Sequence, residues 1–473
     1  MNGGQLVNPY LPSWEYIPDA EPYVFGDRVY IYGSHDRFNG WVFCQNDYVC
    51  WSAPVNDLSA WRYEGVIYRQ EQDPRNPDGH MCLYAPDVTV GPDGRYYLYY
   101  VLDKVSVVSV AVCDTPAGQY EFYGYVHDAA GGVLGERPGD EPQFDPGLLT
   151  EGDKTYLYTG FCPHQDPSRH GPMVTVLGSD MLTIIEEPVF IAPSAPYGKG
   201  SGYEGHEFFE ASSMRKKDSK YYFIYSSVPS CELCYAVSDQ PTGGFVYGGV
   251  IVSNNDTGIS SYKPAGKPMY YGGNNHGSMV KIGDQWYIFY HRHTNGTNFS
   301  RQACMEKIFF RPDGSIIQSE MTSCAGRSTP LRGEGEYPAY IACHLTARDE
   351  AAYVQDLSGW MDSRFPKITQ EGGDGDKHPG YVCNLRDGSL AGFKYFDCRG
   401  VKAISVKTRC YANGDVIVKT AWDGEVLCRI PVRYANIWTS GTAPCILPDG
   451  VHALYFGFEG EGTLSLGSFT LHV

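Results

Sequence analysis

The sequence predicts an all-β protein: a five-bladed β-propeller over residues 1–330, then a β-sandwich (jelly-roll-like) domain over residues 331–473. Three observations carry this reading. An aromatic hairpin recurs five times, a polar residue precedes each recurrence at a nearly constant distance, and the pattern stops near residue 330, where strands of another rhythm take over.

Composition sets the frame. A chain of 473 residues exceeds what one ordinary core organises, so two domains are expected. With 42% hydrophobic and 19% charged residues it reads as a globular protein. Gly 55 and Pro 31 supply the turns that many short strands need, and 38 tyrosines favour strands. A net charge of −18 leaves no excess of cations to displace counterions from phosphates, which argues against nucleic acid. No apolar run is long enough for a bilayer-spanning helix, so a membrane partner is not expected either. The oligomeric state is not legible.

Fifteen cysteines, an odd number scattered from Cys44 to Cys445, do not look like a disulfide framework. The start MNGGQLVNPYLPSWEY lacks a basic region followed by an apolar run, so reduced thiols and a cytoplasmic location are expected. Cys231 and Cys234 form a C-x-x-C without a second pair at matching spacing, so a zinc site is not expected.

The repeats are GDRVYIY (26–32), DGRYYLY (93–99), GDKTYLY (152–158), DSKYYFIY (218–225) and GDQWYIFY (283–290). Tyr30, Tyr97, Tyr156, Tyr222 and Tyr287 mark them at intervals of 67, 59, 66 and 65. Each is Gly or Asp in a turn followed by large residues in a strand, the sign of a hairpin. Hairpins at this period, with no 3.6-residue periodicity between them, describe propeller blades.

The marker tyrosines are preceded by Asp19, Asp87, Asp145, Glu210 and His276 at offsets of 11, 10, 11, 12 and 11. If the strands carrying them are innermost, four carboxylates and an imidazole converge on the axis. Stability alone would not gather like charges in a narrow channel. Clustered carboxylates in unequal environments suit glycoside hydrolysis, where one acid protonates the leaving oxygen and another activates water. Arg301 stands where it can neutralise charge or hold a sugar hydroxyl. His276 could touch a hydrated calcium ion on the axis, or be a satisfied core histidine. Ser34-His35-Asp36 carries the letters of a catalytic triad, but adjacent residues cannot form one. Glu204 and Glu207 lie near Glu210, and Glu207 is a reserve candidate for the acid.

These segments resemble glycoside hydrolase family 43. PDAEPYVFGDRVYIYGSHD is similar to the family's opening motif, FDPGLLTEGDKTYLYTG to its third-blade motif, and FFEASSMRKKDSKYYFIYSS to its fourth-blade motif. The resemblance spans roughly residues 8–325. It implies Asp19 as general base, Asp145 as modulator of the acid's pKa and Glu210 as general acid of an inverting enzyme. It further implies Arg301 in the site, His276 near a central cation or water cluster, and Asp87 outside the catalytic three but near substrate. At the first motif, Ala-Glu-Pro follows Asp19 where many members have Asp-Pro, so Glu21 is a rival base. Inverting pairs stand about 6.5–9.5 Å apart.

Residues 331–473 end in short alternating strands. DGSLAGFKYFD and GVHALYFGFEG…LSLGSFTLHV resemble carbohydrate-binding module family 6, with Trp360 and Trp438 available for sugars, although these aromatics could equally be core. The combined expectation is an exo-acting β-xylosidase or α-L-arabinofuranosidase on xylo- or arabino-oligosaccharides. No cofactor is required, with Ca2+ as the one candidate. Endo-arabinanase, exo-galactanase and a non-catalytic sugar-binding propeller are the alternatives. The loops Phe38 to Asp47 and Glu71 to Leu83 are expected to shape the pocket.

Overall fold

The computed structural model describes residues 4–354 and 362–473. Residues 19–317 form five four-stranded antiparallel sheets, each built from strands consecutive in sequence. Blade one is β1 (Glu21–Phe25), β2 (Arg28–Tyr32), β3 (Tyr48–Pro54) and β4 (Arg62–Tyr68). Blade two is β5 (Asp87–Val90), β6 (Tyr96–Tyr100), β7 (Ser109–Cys113) and β8 (Glu121–Tyr125). Blade three is β9 (Gly147–Glu151), β10 (Lys154–Thr159), β11 (Met173–Leu177) and β12 (Ile184–Phe190). Blade four is β13 (Phe208–Lys217), β14 (Lys220–Ser227), β15 (Glu232–Ser238) and β16 (Val246–Ser253). Blade five is β17 (Met279–Ile282), β18 (Gln285–His293), β19 (Arg301–Phe310) and β20 (Ile316–Ile317). All five marker tyrosines fall on second strands, so the repeat reported the blades correctly.

Blades pack face to face, so their middle strands are covered on both sides. β14 is buried along nearly its whole length, whereas the outer strand β12 is largely exposed. A separate apolar cluster fills each gap: Tyr32, Leu98 and Tyr100 between blades one and two, Leu157 and Val110 between two and three, and Phe208 and Tyr158 between three and four.

The tyrosines add a second bond between blades. Tyr32 donates its hydroxyl to Pro116 O at 2.6 Å, Tyr99 to Met181 O at 2.5 Å, Tyr158 to Pro241 O at 2.8 Å and Tyr222 to Gly314 O at 2.9 Å. In each case a second strand reaches the outer turn of the next blade. A buried ring whose polar tip finds a carbonyl gives both area and about 1 kcal/mol of net hydrogen bonding. Between blades five and one, Tyr10 packs on Phe289 and Trp61 instead. The segment holding it is tied by Asn8, which bonds Met305 O, Glu306 and Thr322 O.

Beyond the propeller, β21 (Leu331–Arg332) to β30 (Gly450–His472) form one ten-stranded network. Its spine is β27 (Ala403–Lys419) paired along its length with β30. β30 also pairs with β26 (Ser389–Cys398) at its start and with β25 (Tyr381–Leu385) and β22 (Gly335–Pro338) at its end. The strand bends back on itself, bringing Phe456 and Phe469 within 4.5 Å, with Phe393 beside them. This core is continuous with blades four and five through Ile224, Tyr270, Ile288 and Ile341. Arg292, buried on β18, donates to Ala342 O and Tyr340 O, fastening the two parts together. Trp438 lies half-buried between Tyr381 and Arg409, and Trp360 lies outside the described residues.

Candidate active site

Register shows which residues share a level around the axis. The markers pair as Tyr30↔Tyr23, Tyr97↔Thr89, Tyr156↔Leu149, Tyr222↔Arg215 and Tyr287↔Val280. Two residues before each partner stand Glu21, Asp87, Gly147, Ser213 and Ser278, a lower ring. Four residues before stand Asp19, Ala85, Asp145 and His276, and a bulge between Glu210 and Ser213 brings Glu210 to the same upper level.

Asp87 therefore does not join the substrate-facing residues as expected. The turn of blade two holds five residues, Gly91 to Arg95, where the other blades use two, so an offset counted along the chain lands Asp87 one ring lower. Its carboxylate accepts from Tyr23 Oη at 2.8 Å, Val88 N at 2.7 Å and Leu148 N at 2.7 Å, and Ala85 takes its place at the pocket. Glu21 belongs to the same lower ring. It is paired with Arg215 at 2.5 Å, with Ser213 Oγ at 3.1 Å, which removes it as a rival base.

The upper ring opens into a cavity of about 570 Å³ lined by Asp19, Asp145, Glu210, His276 and Arg301. Asp19 and Asp145 sit in left-handed backbone, φ 59° and 44°, as does Ala211 beside Glu210 at 68°. Such strain persists where surroundings over-determine it. Gly147 is needed for the blades to converge here, since a Cβ on it would lie 2.3 Å from Ser212 O.

Asp19 is held at both oxygens. Arg301 Nη1 donates to Oδ1 at 3.0 Å and Ser34 Oγ to Oδ2 at 2.6 Å. Its backbone N–H donates to His291 Nδ1 at 3.4 Å. Arg301 is fixed by Asp36, whose carboxylate accepts Nε at 2.8 Å and Nη2 at 2.9 Å. Burial raises Asp19 more than any other single influence, but the Arg301 guanidinium together with His291 and His276 outweighs it and holds the carboxyl well below the ordinary range.

Glu210 is the opposite case. Burial and then the negative charge of Asp19 push it up to about 8, against the pull of Arg301. Asp145, which accepts Ala211 N at 3.1 Å, is raised by burial, then by Glu210 and Asp19. His276 lies 3.6 Å from Asp145 and 3.9 Å from Asp19, and burial lowers it to about 4, so its ring is neutral near pH 7. One carboxylate is thus ionised and another protonated in one cavity, the division that acid–base catalysis requires.

Several contributors escaped sequence reasoning. Ser34 and Asp36 form no triad, yet they position Asp19 and Arg301, while His35 pairs with Glu15 at 3.0 Å. Glu207 accepts Gly205 N and Glu204 accepts Gly200 N, and neither lines the cavity. The 38–47 loop delivers Phe43 and Cys44 to the cavity. The 71–83 loop instead turns away, with Asp73 bonded to Tyr100, Ser109 and Tyr125. Aromatic rings form an arc around the rim: Phe299, Phe43, Tyr84, Phe144, Phe161, Phe209 and His164, with successive centroids 4.8–6.5 Å apart. Tyr84, Phe144 and Phe209 directly precede the upper-ring positions Ala85, Asp145 and Glu210, a recurrence that could have revealed them, whereas Phe43, Phe161, His164 and Phe299 come from loops with no repeat.

The chain is similar to known proteins along its whole length. The profile of glycosyl hydrolases family 43 matches residues 13–316. A xylosidase/arabinosidase of Thermoclostridium stercorarium is 69% identical over 99% of both chains. A xylosidase/arabinosidase of Bacteroides ovatus is 29% identical over 66% of this chain and 97% of its own. Among solved structures, a family 43 β-xylosidase/α-arabinofuranosidase from a compost metagenome, in complex with xylotriose, is 26% identical over 66% of this chain and 97% of its own, with a TM-score of 0.52. A family 43 arabinoxylan arabinofuranohydrolase of Bacillus subtilis, 20% identical with a TM-score of 0.53, shares the fold over 99% of this chain and 98% of its own.

Proposed function

Because the chain belongs to glycosyl hydrolases family 43, we propose that its axial carboxylates release terminal xylose or arabinose from oligosaccharides with inversion at the anomeric carbon. The chain is a glycoside hydrolase of the xylosidase/arabinofuranosidase kind, as its 69% identical relative indicates. The observation that carries the mechanism is the split between an ionised Asp19 and a protonated Glu210 in one pocket.

In this reading Asp19, ionised and aligned by Arg301 and Ser34, takes a proton from a water that attacks the anomeric carbon. Glu210 gives its proton to the departing oxygen. Asp145 accepts the N–H of Ala211 beside Glu210 and so orients the acid, while burial and the charge of Asp19 keep Glu210 protonated until the bond breaks. A single cavity of about 570 Å³, walled on most sides by aromatic rings, favours exo action on chain ends over endo-arabinanase action. The same set of carboxylates disfavours a purely sugar-binding propeller.

No cofactor is needed for these steps. Calcium requires six to eight oxygen ligands, and around His276 the Asp19 oxygens are engaged by Arg301 and Ser34. The donor set suits a hydrated ion held through its water shell, and chelation should leave turnover within about twofold.

We read residues 1–330 as the catalytic domain and 331–473 as a β-sandwich. A cavity of about 690 Å³ bounded by Tyr340, Tyr381, Trp438 and Lys407 supports reading the latter as a carbohydrate-binding module. A cytoplasmic location accords with fifteen free cysteines.

The deciding experiment measures initial rates on 4-nitrophenyl β-D-xylopyranoside and α-L-arabinofuranoside beside other aryl glycosides. Turnover of either supports the reading and ranks the two sugars. Silence on both, with cleavage of long arabinan, would replace it by an endo-acting enzyme.

A further inference from the structure

The aromatic arc around the catalytic cavity is incomplete. It runs from Phe299 past blades one, two and three to Phe209 and His164 on the side of blade four. Between blades four and five the wall is made of Ser230, Asn274, Tyr353 and Val354. Two of these four come from beyond the propeller.

The chain that leaves blade five returns across the propeller face. Leu345 N donates to Met269 O at 2.8 Å, Gly272 N donates to Ala352 O at 2.9 Å, and Val354 N donates to Gly272 O at 2.9 Å. This pins residues 345–354 beside 269–272. Val354 is buried and acts as the anchor, while Tyr353 remains 51% exposed. Its ring lies directly over Gly272, where a Cβ would come within 2.6 Å of Tyr353 Cδ2. Its hydroxyl shares a 2.6 Å hydrogen bond with Ser230 Oγ, and Ser230 is held in left-handed backbone at φ 59°. Both edges of the ring are thus fixed and one face is left open.

The position of the ring in the reaction follows from Glu210. A general acid must stand beside the leaving oxygen, so the wall nearest to it meets the sugar being expelled. Glu210 pairs with Ser226, whose Oγ donates to Ser230 O at 3.2 Å, and Ser230 holds Tyr353, whereas Asp19 is embedded among Arg301, Ser34 and His291.

We propose that Tyr353, brought in by the segment following the propeller, is the platform of the subsite that holds the leaving-group sugar. This rests on the hydrolase reading above and adds a specificity-determining residue to it. A fixed aromatic face offers flat apolar contact to a pyranose or furanose ring without loss of side-chain freedom on binding. Tyr353 is a positioning residue: it touches the departing sugar and takes no part in proton transfer.

The test measures binding by calorimetry in protein silenced by Glu210→Gln, using xylose and xylobiose, with L-arabinose and 1,5-arabinobiose as a second pair. With Tyr353 intact, the disaccharide should bind about tenfold more tightly than its monosaccharide. Adding Tyr353→Ala should erase that gain and leave monosaccharide affinity within about twofold. Adding Tyr353→Phe, which keeps the ring and loses the bond to Ser230, should retain most of it. Survival of the gain in the alanine variant, or an equal fall for mono- and disaccharide, would overturn the proposal. Failure of every sugar to bind with Tyr353 intact would strike the hydrolase reading itself, and the subsite with it.

Discussion

The propeller axis carries two charge clusters one pleat apart, and they have opposite fates. In the lower ring, Glu21 and Asp87 meet Arg215, Tyr23, Ser213 and backbone N–H groups, and the Arg215 guanidinium lies 4.4 Å from the Tyr23 ring centre. In the upper ring, Asp19 meets Arg301 in much the same way, but Glu210 faces an open cavity and keeps its proton. Both rings contain an arginine and more than one carboxylate. What separates structure from chemistry is that one member of the upper ring is left facing solvent-sized space with a pKa near neutrality. A repeat can bring carboxylates to an axis; only their surroundings decide which of them work.

The largest effects should come from the upper ring. Asp19→Asn should reduce turnover of both oligosaccharides and aryl glycosides by about three orders of magnitude or more. Glu210→Ala should cripple xylobiose cleavage to a similar degree while sparing substrates whose leaving group needs no proton. Equal losses on both substrate classes would remove Glu210 as the acid, and substantial residual turnover by Asp19→Asn would remove Asp19 as the base.

The lower ring should respond in stability instead. Arg215→Met leaves Glu21 buried without its cation, which should cost about 3–5 kcal/mol in denaturant unfolding. Its kcat/KM below the transition should stay within about threefold of the unaltered enzyme. A collapse of activity in folded Arg215→Met would break the division between the rings.

Two pH experiments sharpen it further. With Glu210 titrating near 8, kcat/KM on unactivated oligosaccharides should fall tenfold per unit above that pH, and the limb should flatten on activated aryl glycosides. The folded carboxyl is raised from 4.5 to about 8. The stability its proton provides is therefore full below about pH 4.5 and declines as pH rises through 8. Glu210→Gln should accordingly match the unaltered enzyme in Tm at pH 4 and exceed it by about 5 °C at pH 9. A constant difference across that range would show that Glu210 is not shifted.

The blades were legible because a propeller repeats a local object, a hairpin with Tyr in its second strand, and local patterns survive in sequence. The upper ring was legible almost completely for the same reason, since four of its members follow the repeat. Asp87 was misplaced because a count along the chain cannot see that Gly91 to Arg95 form a longer turn. Arg301's second partner Asp36, the rings Phe43, Phe161, His164 and Phe299 of the arc, and Tyr353 were hidden for a different reason. They belong to loops and to a returning segment whose positions depend on tertiary packing, and nothing periodic announces them. The bend of β30 that brings Phe456 against Phe469 was likewise invisible in a run of alternating residues.

One feature of the ring bears on how the protein is made. Every blade is woven from consecutive strands, and closure depends on Asn8 reaching Met305, Glu306 and Thr322. At about 5–20 residues per second of synthesis, the first blade waits roughly a quarter of a minute to a minute for its last neighbour to emerge from the ribosome. During that interval the apolar flank of blade one, with Tyr10, Val29 and Ile31, has nothing to cover it. The nascent chain is then an open arc with a sticky end, and factors that shield it should matter more to yield than any step after release.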